Sequence, residues 1–407
     1  MAILFHHRPE LARRLADDLL AKNPFSDAPN GMFLAAPRRT GKSNFLQYDL
    51  QPELKRCGCL VVYVDFWAQS RRDPAQLLVE AIAYQVQKIQ GLAGQLAAVL
   101  SKVKLAGVEI DLSRVGQPDG TSIPQVLELL SRQAGCPIVL ILDEAQHALT
   151  TEAGESAMFA LKSARDQMNS PTNRRLLLIF SGSDRDKLLR LVNSANAPFY
   201  GSQIHHMPEL DRSYIEQVAD ALEKIHPWFA PMNVDQLFEA FKAVGLRPQF
   251  LNQVLERVLQ GPKTDNVQAG SDILAGALKV EQAETKDRCQ LYLGLKPLEQ
   301  YVLWRMLEQG PAFRPYDADS KAFYSALLGR KVSTPMAQGA LVSLRDHNPS
   351  VVWKSSRAEY AVDDTGMQAW FTQEREAGTW PPNDDRAELL SRLKPSHSKP
   401  KGTLRLN

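Results

Sequence analysis

Gly31-Met-Phe-Leu-Ala-Ala-Pro-Arg-Arg-Thr-Gly-Lys-Ser43 is an apolar run, then a turn of small residues, then a Gly-Lys-Ser opening a segment of helical character. Strand, tight turn and helix in that order leave a row of backbone N–H groups at the helix start. The positive end of the helix reinforces them, and such a row wraps anionic phosphate. Pro37 has no N–H, so the donors must come from Arg38, Arg39, Thr40, Gly41, Lys42 and Ser43. A Gly-Lys-Ser turn with no chemical meaning is the alternative, and the flanking strand and helix weigh against it.

The stretch looks like a P-loop. In that motif the lysine reaches the β and γ phosphates of a nucleotide and the hydroxyl ligates Mg²⁺, roles that fall here to Lys42 and Ser43. The motif's expected first glycine is Ala36, the mildest replacement. The predicted cradle is Ala36, Pro37, Arg38, Arg39, Thr40, Gly41, Lys42, Ser43 and Asn44. A hundred residues on, Pro137-Ile-Val-Leu-Ile-Leu-Asp-Glu-Ala-Gln-His147 is a continuous apolar run ending in two carboxylates, the pattern of a strand buried on both faces. Open α/β sheets bind ligands at the C-terminal edge of such strands. Asp143 is therefore the expected outer partner of Mg²⁺, and Glu144 the base that orients or deprotonates the attacking water. The competing reading is an acidic helix start that caps Ala145 onward.

A chain of 407 residues exceeds one ordinary core and predicts two or three domains. A net charge of +2 argues against a chain-wide surface for polyanions and leaves a local basic patch open. Cys57, Cys59, Cys136 and Cys289 lack zinc-type spacing and are expected to be reduced thiols. The apolar start Met-Ala-Ile-Leu-Phe is shorter than a signal peptide's, and no segment has membrane-spanning length. A cytoplasmic protein without membrane contact is the expectation.

Leu11, Leu15, Leu19 and Leu20 give residues 1 to 30 a helical pattern, expected beside the nucleotide base. Cys59-Leu-Val-Val-Tyr-Val-Asp-Phe-Trp67 is a second buried strand, and Asp73-Pro74 starts an amphipathic helix to Gln90. An Ala/Leu helix and a short edge hairpin at Gly107–Leu112 follow, then a helix at Ile123–Gln133. After a helix at about Glu155–Met168, Arg174-Arg-Leu-Leu-Leu-Ile-Phe-Ser-Gly-Ser183 is another buried strand with a polar end. P-loop NTPases place there a group that senses the γ phosphate or positions water, which points to Ser181. Ser183 as the cap of a plain strand-to-helix turn is equally compatible. A fifth strand near Gln203–Met207 completes a three-layer parallel α/β core. Asp211–Ile225, Asn233–Val244 and Pro248–Leu259 read as a helical lid.

Taken together, residues 5 to 260 resemble the archaeal-type ATPase family, AAA+ related ATPases close to the STAND and origin-initiator branches. The residues that carry the resemblance are Pro37-Arg-Arg-Thr-Gly-Lys-Ser43, Leu142-Asp-Glu-Ala-Gln146, Phe180-Ser-Gly-Ser183, Pro198-Phe-Tyr-Gly201 and Gly245-Leu-Arg-Pro-Gln-Phe-Leu251. The family often places an arginine after the Pro-Tyr-Gly and another after the lid's Gly-x-Pro. Ser202 and Gln249 stand there. An arginine that stabilises γ-phosphate charge is worth orders of magnitude in rate, and Arg185, Arg190 or Arg247 are the available substitutes. Slow, switch-like hydrolysis is therefore as compatible as vigorous turnover. ATP is preferred over GTP because no base-specific GTPase motif is visible.

Beyond a connector at 261 to 290 the pattern resets. Helices at Pro297–Leu307, Asp319–Leu328 and Ser333–Arg345, strands at Val351–Lys354 and Glu359–Asp363, and a closing helix at Thr365–Phe371 follow the order of a winged helix. In that fold the third helix enters the major groove and the wing touches backbone. Arg330, Lys331, Thr334, Gln338, Ser343, Lys354 and Arg357 are the candidates for double-stranded DNA, although the third helix carries little positive charge. The tail holds Arg392, Lys394, Lys399, Lys401 and Arg405 nearly unopposed by acids and is expected to be disordered.

The predicted organisation is a P-loop ATPase core at 1–208, lid and connector at 209–290, winged helix at 291–376 and tail at 377–407. The predicted function is an Mg²⁺-dependent ATPase whose nucleotide state controls a winged helix on DNA. The rival is a STAND-type signalling or defence switch whose winged helix meets only protein, a homo-oligomer or another partner.

Overall fold

The computed structural model describes residues 4–68, 72–89, 102–105, 108–111, 115, 120–170, 172–355 and 359–393. Helix α1 (Pro9–Leu19) precedes strand β1 (Met32–Ala35), which leads through the phosphate-loop sequence into α2 (Lys42–Phe45). A single π turn, Leu46–Leu50, joins α2 to α3 (Gln51–Arg56), so the chain is helical from Lys42 to Arg56 with one widened turn. Strand β2 (Leu60–Asp65) and α4 (Pro74–Ile89) follow, and then β3 (Lys102–Leu105) and β4 (Val108–Asp111) pair antiparallel as a separate two-stranded sheet. The predicted hairpin is therefore present but does not edge the main sheet. The Ala/Leu helix expected before it lies outside the described residues.

The core continues with α5 (Ile123–Ala134), β5 (Ile138–Asp143), α6 (Glu152–Met168), β6 (Leu176–Gly182), α7 (Arg185–Leu189) and β7 (Ile204–His206). The main sheet has the order β2-β5-β6-β1-β7, and every pair is parallel. All residues of β1, β5 and β6 are buried. That is why these stretches are uninterrupted apolar runs rather than alternations: helices cover both faces and leave no solvent side for a polar residue. The fold is that of a P-loop NTPase, as the sequence predicts. Its order sets β5 between β2 and β6 and puts β6 next to β1, so the acid-tipped strand ends close to the phosphate loop.

Three helices, α8 (Arg212–Ile225), α9 (Val234–Ala243) and α10 (Pro248–Gln260), form the lid around Ile215, Leu237, Phe241, Leu251 and Val254. Asp211 and Asn233 cap α8 and α9 by accepting from Ser213 N and Gln236 N. A long helix, α11 (Asn266–Gly294), adds Ala269, Ile273 and Ala277 to the same core. The chain divides within α11: one compact unit comprises Met1–Glu281 and a second begins at Gln282. Core and lid thus share a unit, and the second takes in the last turns of α11.

The second unit holds α12 (Pro297–Gln309), α13 (Ala318–Leu328), α14 (Thr334–Asp346), the antiparallel pair β8 (Val352–Lys354) and β9 (Tyr360–Val362), α15 (Thr365–Glu376) and α16 (Arg386–Leu393). The predicted order of three helices and a two-stranded wing is present. The disorder expected from residue 377 does not hold for 377–393. Trp380 is buried among Tyr292, Trp304, Trp370 and Phe371, with ring centroids 4.8 to 5.9 Å away, and Leu389 of α16 joins the same core. Arg392 is also not unopposed, since it bonds to Glu388 and to the Leu327 carbonyl. Lys394, Lys399, Lys401, Arg405 and the wing residue Arg357 lie outside the described residues. Among the described residues no helix is long and apolar enough to cross a membrane.

Removing a large buried aromatic costs transfer energy and leaves a cavity, so Trp380→Ala is expected to destabilise this unit by about 3 kcal/mol or more. Chemical denaturation of the full chain measures it, and a change within about 0.5 kcal/mol, the range typical of exposed positions, contradicts the buried placement.

Candidate phosphate and metal site

The turn after β1 is built by backbone geometry. Arg39 and Gly41 both adopt left-handed conformations, φ +70° and +86°, and Gly41 serves as the cap of the helix that Lys42 begins. A β-carbon at Gly41 meets nothing within 4 Å, so the glycine is there for its φ and not for space. Thr40 donates its hydroxyl to the Pro37 carbonyl at 2.7 Å and closes the loop from within. Ala36 N–H donates to the Gly182 carbonyl at 3.1 Å. Ala36, named as part of the cradle, therefore spends its donor on the sheet.

The predicted residues converge. The Lys42 ammonium is buried against Asp143 Oδ1, Glu144 Oε1 lies 3.0 Å from it, and the Ser181 hydroxyl is at 3.4 Å. Ser43 Oγ donates to Asp143 Oδ2 at 2.6 Å. Ser181 Oγ donates to Asp143 Oδ1, and the Glu144 N–H reaches the same oxygen at 3.0 Å. Asn44, in contrast, is exposed.

Sequence reading missed three further contacts. Tyr63 of β2 donates its hydroxyl to Asp143 Oδ2 at 2.8 Å. Gln146 Nε2 and Ser183 Oγ donate to Glu144 Oε2 at 2.6 and 2.7 Å. Gly182 makes room for the glutamine, since a β-carbon there would sit 2.6 Å from Gln146 Oε1. Ser183 is not the cap of α7. Asp184 is, accepting from the Asp186 and Lys187 N–H groups, while the Ser183 hydroxyl is turned to Glu144. Glu144 itself is left-handed, φ +53°, which a non-glycine residue holds only when its surroundings impose it. The helix predicted after it begins as a 3₁₀ turn, Ala145–Thr150, and Glu144 makes no side-chain capping bond there.

Electrostatics follow from burial and pairing. Burial alone would push the Lys42 ammonium toward neutrality, but the charges of Asp143 and Glu144 outweigh it and raise its pKa. Burial would likewise raise both carboxyls, and the charge of Lys42, with hydroxyl donors, holds them below the ordinary range. Tyr63 is raised by burial and by the Asp143 charge and stays a donor.

Arg38 donates to Ser183 Oγ at 3.3 Å, and its guanidinium lies 5.3 Å from the Trp67 ring centroid. Of the three substitute arginines, Arg247 approaches the phosphate loop: its guanidinium and that of Arg39 lie over the Phe250 ring, 4.2 and 4.7 Å from its centroid. The N-terminal segment touches both the phosphate-loop helix and the lid. His7 Nδ1 and the Arg8 N–H bond Asp49 at 2.7 and 3.0 Å, and His6 Nδ1 bonds Gln217 at 2.6 Å.

The donor set fits a phosphate-bound Mg²⁺. A hydroxyl and a carboxylate oxygen sit side by side, and Mg²⁺ in such sites takes one or two protein oxygens and fills its octahedron with water and phosphate. Among the described residues no group of three or more His, Cys, Asp or Glu could hold a metal by itself.

No family model and no curated protein matches the chain. Among solved structures, a Walker-type ATPase of Pyrococcus abyssi is 16% identical with a TM-score of 0.47, covering 90% of this chain and 96% of that one. The ORC2 protein of Aeropyrum pernix in its ADP form is 11% identical with a TM-score of 0.49, covering 93% and 97%. The ORC1 protein of Aeropyrum pernix in complex with DNA is 13% identical with a TM-score of 0.42, covering 92% and 94%. Likeness at this level carries no functional information; the geometry of Lys42, Ser43, Asp143 and Glu144 does.

The carboxyls are depressed, so their stabilisation holds above the ordinary carboxylate range and is lost as pH falls through their lowered values. Lys42 is raised, so its share holds below the ordinary lysine value and is lost only in strong alkali. Lys42→Met leaves two buried carboxylates side by side. The expected cost is about 3 kcal/mol near neutral pH, shrinking toward about pH 4 as one of them takes a proton. Denaturation across that range checks this, and a loss independent of pH contradicts it.

Proposed function

We propose that the protein binds ATP with Mg²⁺ at the turn after β1 and hydrolyses it. The observation that supports this is the convergence of Lys42, Ser43, Asp143 and Glu144 at the C-terminal edge of a parallel sheet, at the start of the helix that Lys42 opens. The carboxylates of Asp143 and Glu144 surround the ammonium of Lys42, the group that β and γ phosphate oxygens of ATP would engage. Entry of the phosphates is an exchange of anions around one cation.

That exchange prepares the base. Glu144 has one oxygen on Lys42 and the other on Ser183 and Gln146. Lys42 is the largest influence holding its carboxyl down against burial. When Lys42 turns to phosphate, Glu144 regains basicity and a free oxygen to orient the attacking water. Ser43 and Asp143 are the residues that would hold Mg²⁺, which would supply charge neutralisation for the phosphates. Arg39 and Arg247 are the cations available to the transferred phosphoryl group.

The second unit is proposed to contact double-stranded DNA through α14 and the wing. Arg330, Lys331, Thr334 and Gln338 are exposed, and Ser343 and Lys354 are half-buried. The nucleotide state is proposed to reach this unit through α11, which gives Ile273 to the lid core and Tyr292 to the core of the second unit. One observation favours the switch whose partner is a protein: Arg345, the only cation of α14, is bonded to Asp346.

Glu144→Gln is expected to keep ATP affinity and to lower single-turnover hydrolysis by about a hundredfold or more. Hydrolysis at the wild-type rate in this variant contradicts the assignment. Arg330→Glu with Lys331→Glu is expected to weaken duplex binding by the full chain about tenfold at low salt and to flatten its salt dependence. Absence of duplex binding by the wild type at low salt favours the protein partner.

A further inference from the structure

Five donors converge on the Asp143 carboxylate. Oδ1 receives Lys42, Ser181 and the Glu144 N–H; Oδ2 receives Ser43 at 2.6 Å and Tyr63 at 2.8 Å. A carboxylate has about four lone-pair sites, so none is left for a further donor. For Asp143 to accept from a metal-bound water, as the reading above requires, some of these donors must leave. Lys42 leaves for phosphate and Ser43 turns its oxygen to the metal. Among the described residues the one side chain that then still donates to Oδ2 is Tyr63.

The placement of this phenol is built into the fold. Strands β2 and β5 run parallel with Tyr63 level with Ile141 and Asp65 level with Asp143, so the phenol extends along the sheet by two residues to reach the carboxylate. Its ring packs on the cluster of Phe45, Leu46 and Leu50 beneath the phosphate-loop helix. Gln47, inside the π turn that widens that helix, lies on the other side of the same hydroxyl. Tyr63 cannot swing away without breaking its bond to Asp143.

We infer that Tyr63 is a positioning residue that fixes the Asp143 carboxylate so that the lone pair vacated by Ser43 faces the metal side of the phosphate site. This inference rests on the ATP and Mg²⁺ reading. It sets Tyr63 apart from a core tyrosine whose hydroxyl has merely found a nearby acceptor. A core role supports the loop equally with and without metal, whereas a positioning role acts through the metal alone.

The test is ATP affinity of the full chain, titrated in EDTA and over a series of Mg²⁺ concentrations, for the wild type, Tyr63→Phe and Lys42→Ala. Tyr63→Phe is expected to bind ATP in EDTA within about twofold of wild type and to need about tenfold more Mg²⁺ for half of the metal-dependent gain, the usual cost of losing an outer partner of a metal site. An unmoved Mg²⁺ midpoint overturns the inference, and so does an equal loss of affinity in EDTA and in Mg²⁺. If Lys42→Ala binds ATP as the wild type does, the phosphate site itself is wrong, which is a different result from an unmoved midpoint in Tyr63→Phe. Should Tyr63→Phe not fold, Tyr63→Met is measured the same way, and an unmoved midpoint there overturns the inference.

Discussion

Two carboxylates buried at the tip of one strand need a cation, and Lys42 is that cation. Asp143 and Glu144 are adjacent in sequence and sit out of water, so each raises the cost of ionising the other. The lysine reverses this balance for both and is itself kept charged by them. Such an arrangement is poor at producing stability, because three groups have lost their hydration to make it. It is well suited to exchange. In the proposed function, an incoming anion that offers the lysine more negative charge takes it over and leaves the carboxylates to act on metal and water.

The sheet order makes this cluster possible. With β5 between β2 and β6, Asp143 is reached from one neighbour by Tyr63 and from the other by Ser181. With β1 beside β6, the phosphate loop lies within reach of the same strand tip, and Lys42 meets a residue about a hundred positions away. Parallel pairing of buried strands brings all of these ends to one edge. The backbone carries part of the work too: left-handed Arg39, Gly41 and Glu144 aim the loop and the base at that edge.

Much of this was legible in the sequence because it is written locally. Apolar runs such as Ile138–Leu142 signal burial on both faces, and Gly41-Lys42-Ser43 after such a run signals the phosphate turn. Caps at Asp211 and Asn233 marked the lid helices to within a residue or two. What escaped was set by contacts between distant segments. Tyr63 inside an apolar strand reads as core, and only the register of β2 on β5 turns its hydroxyl into a donor to Asp143. Gln146 looks like a polar residue after an acid pair, and its bond to Glu144 depends on the left-handed turn at Glu144 and on the missing side chain of Gly182. The stretch after residue 377 has the polar composition of a tail, yet Trp380 closes an aromatic cluster drawn from three helices. Ala36 shows the reverse: a motif position whose N–H the sheet has already claimed.

The exchange of anions around Lys42 is tested most directly by a crystal structure of the full chain with a non-hydrolysable ATP analogue and Mg²⁺. The account predicts a β or γ phosphate oxygen within about 3 Å of Lys42 Nζ, the lysine gone from Glu144, and Ser43 Oγ on the metal. A nucleotide bound elsewhere, or a Lys42 still paired with both carboxylates while the phosphates lie out of its reach, contradicts it.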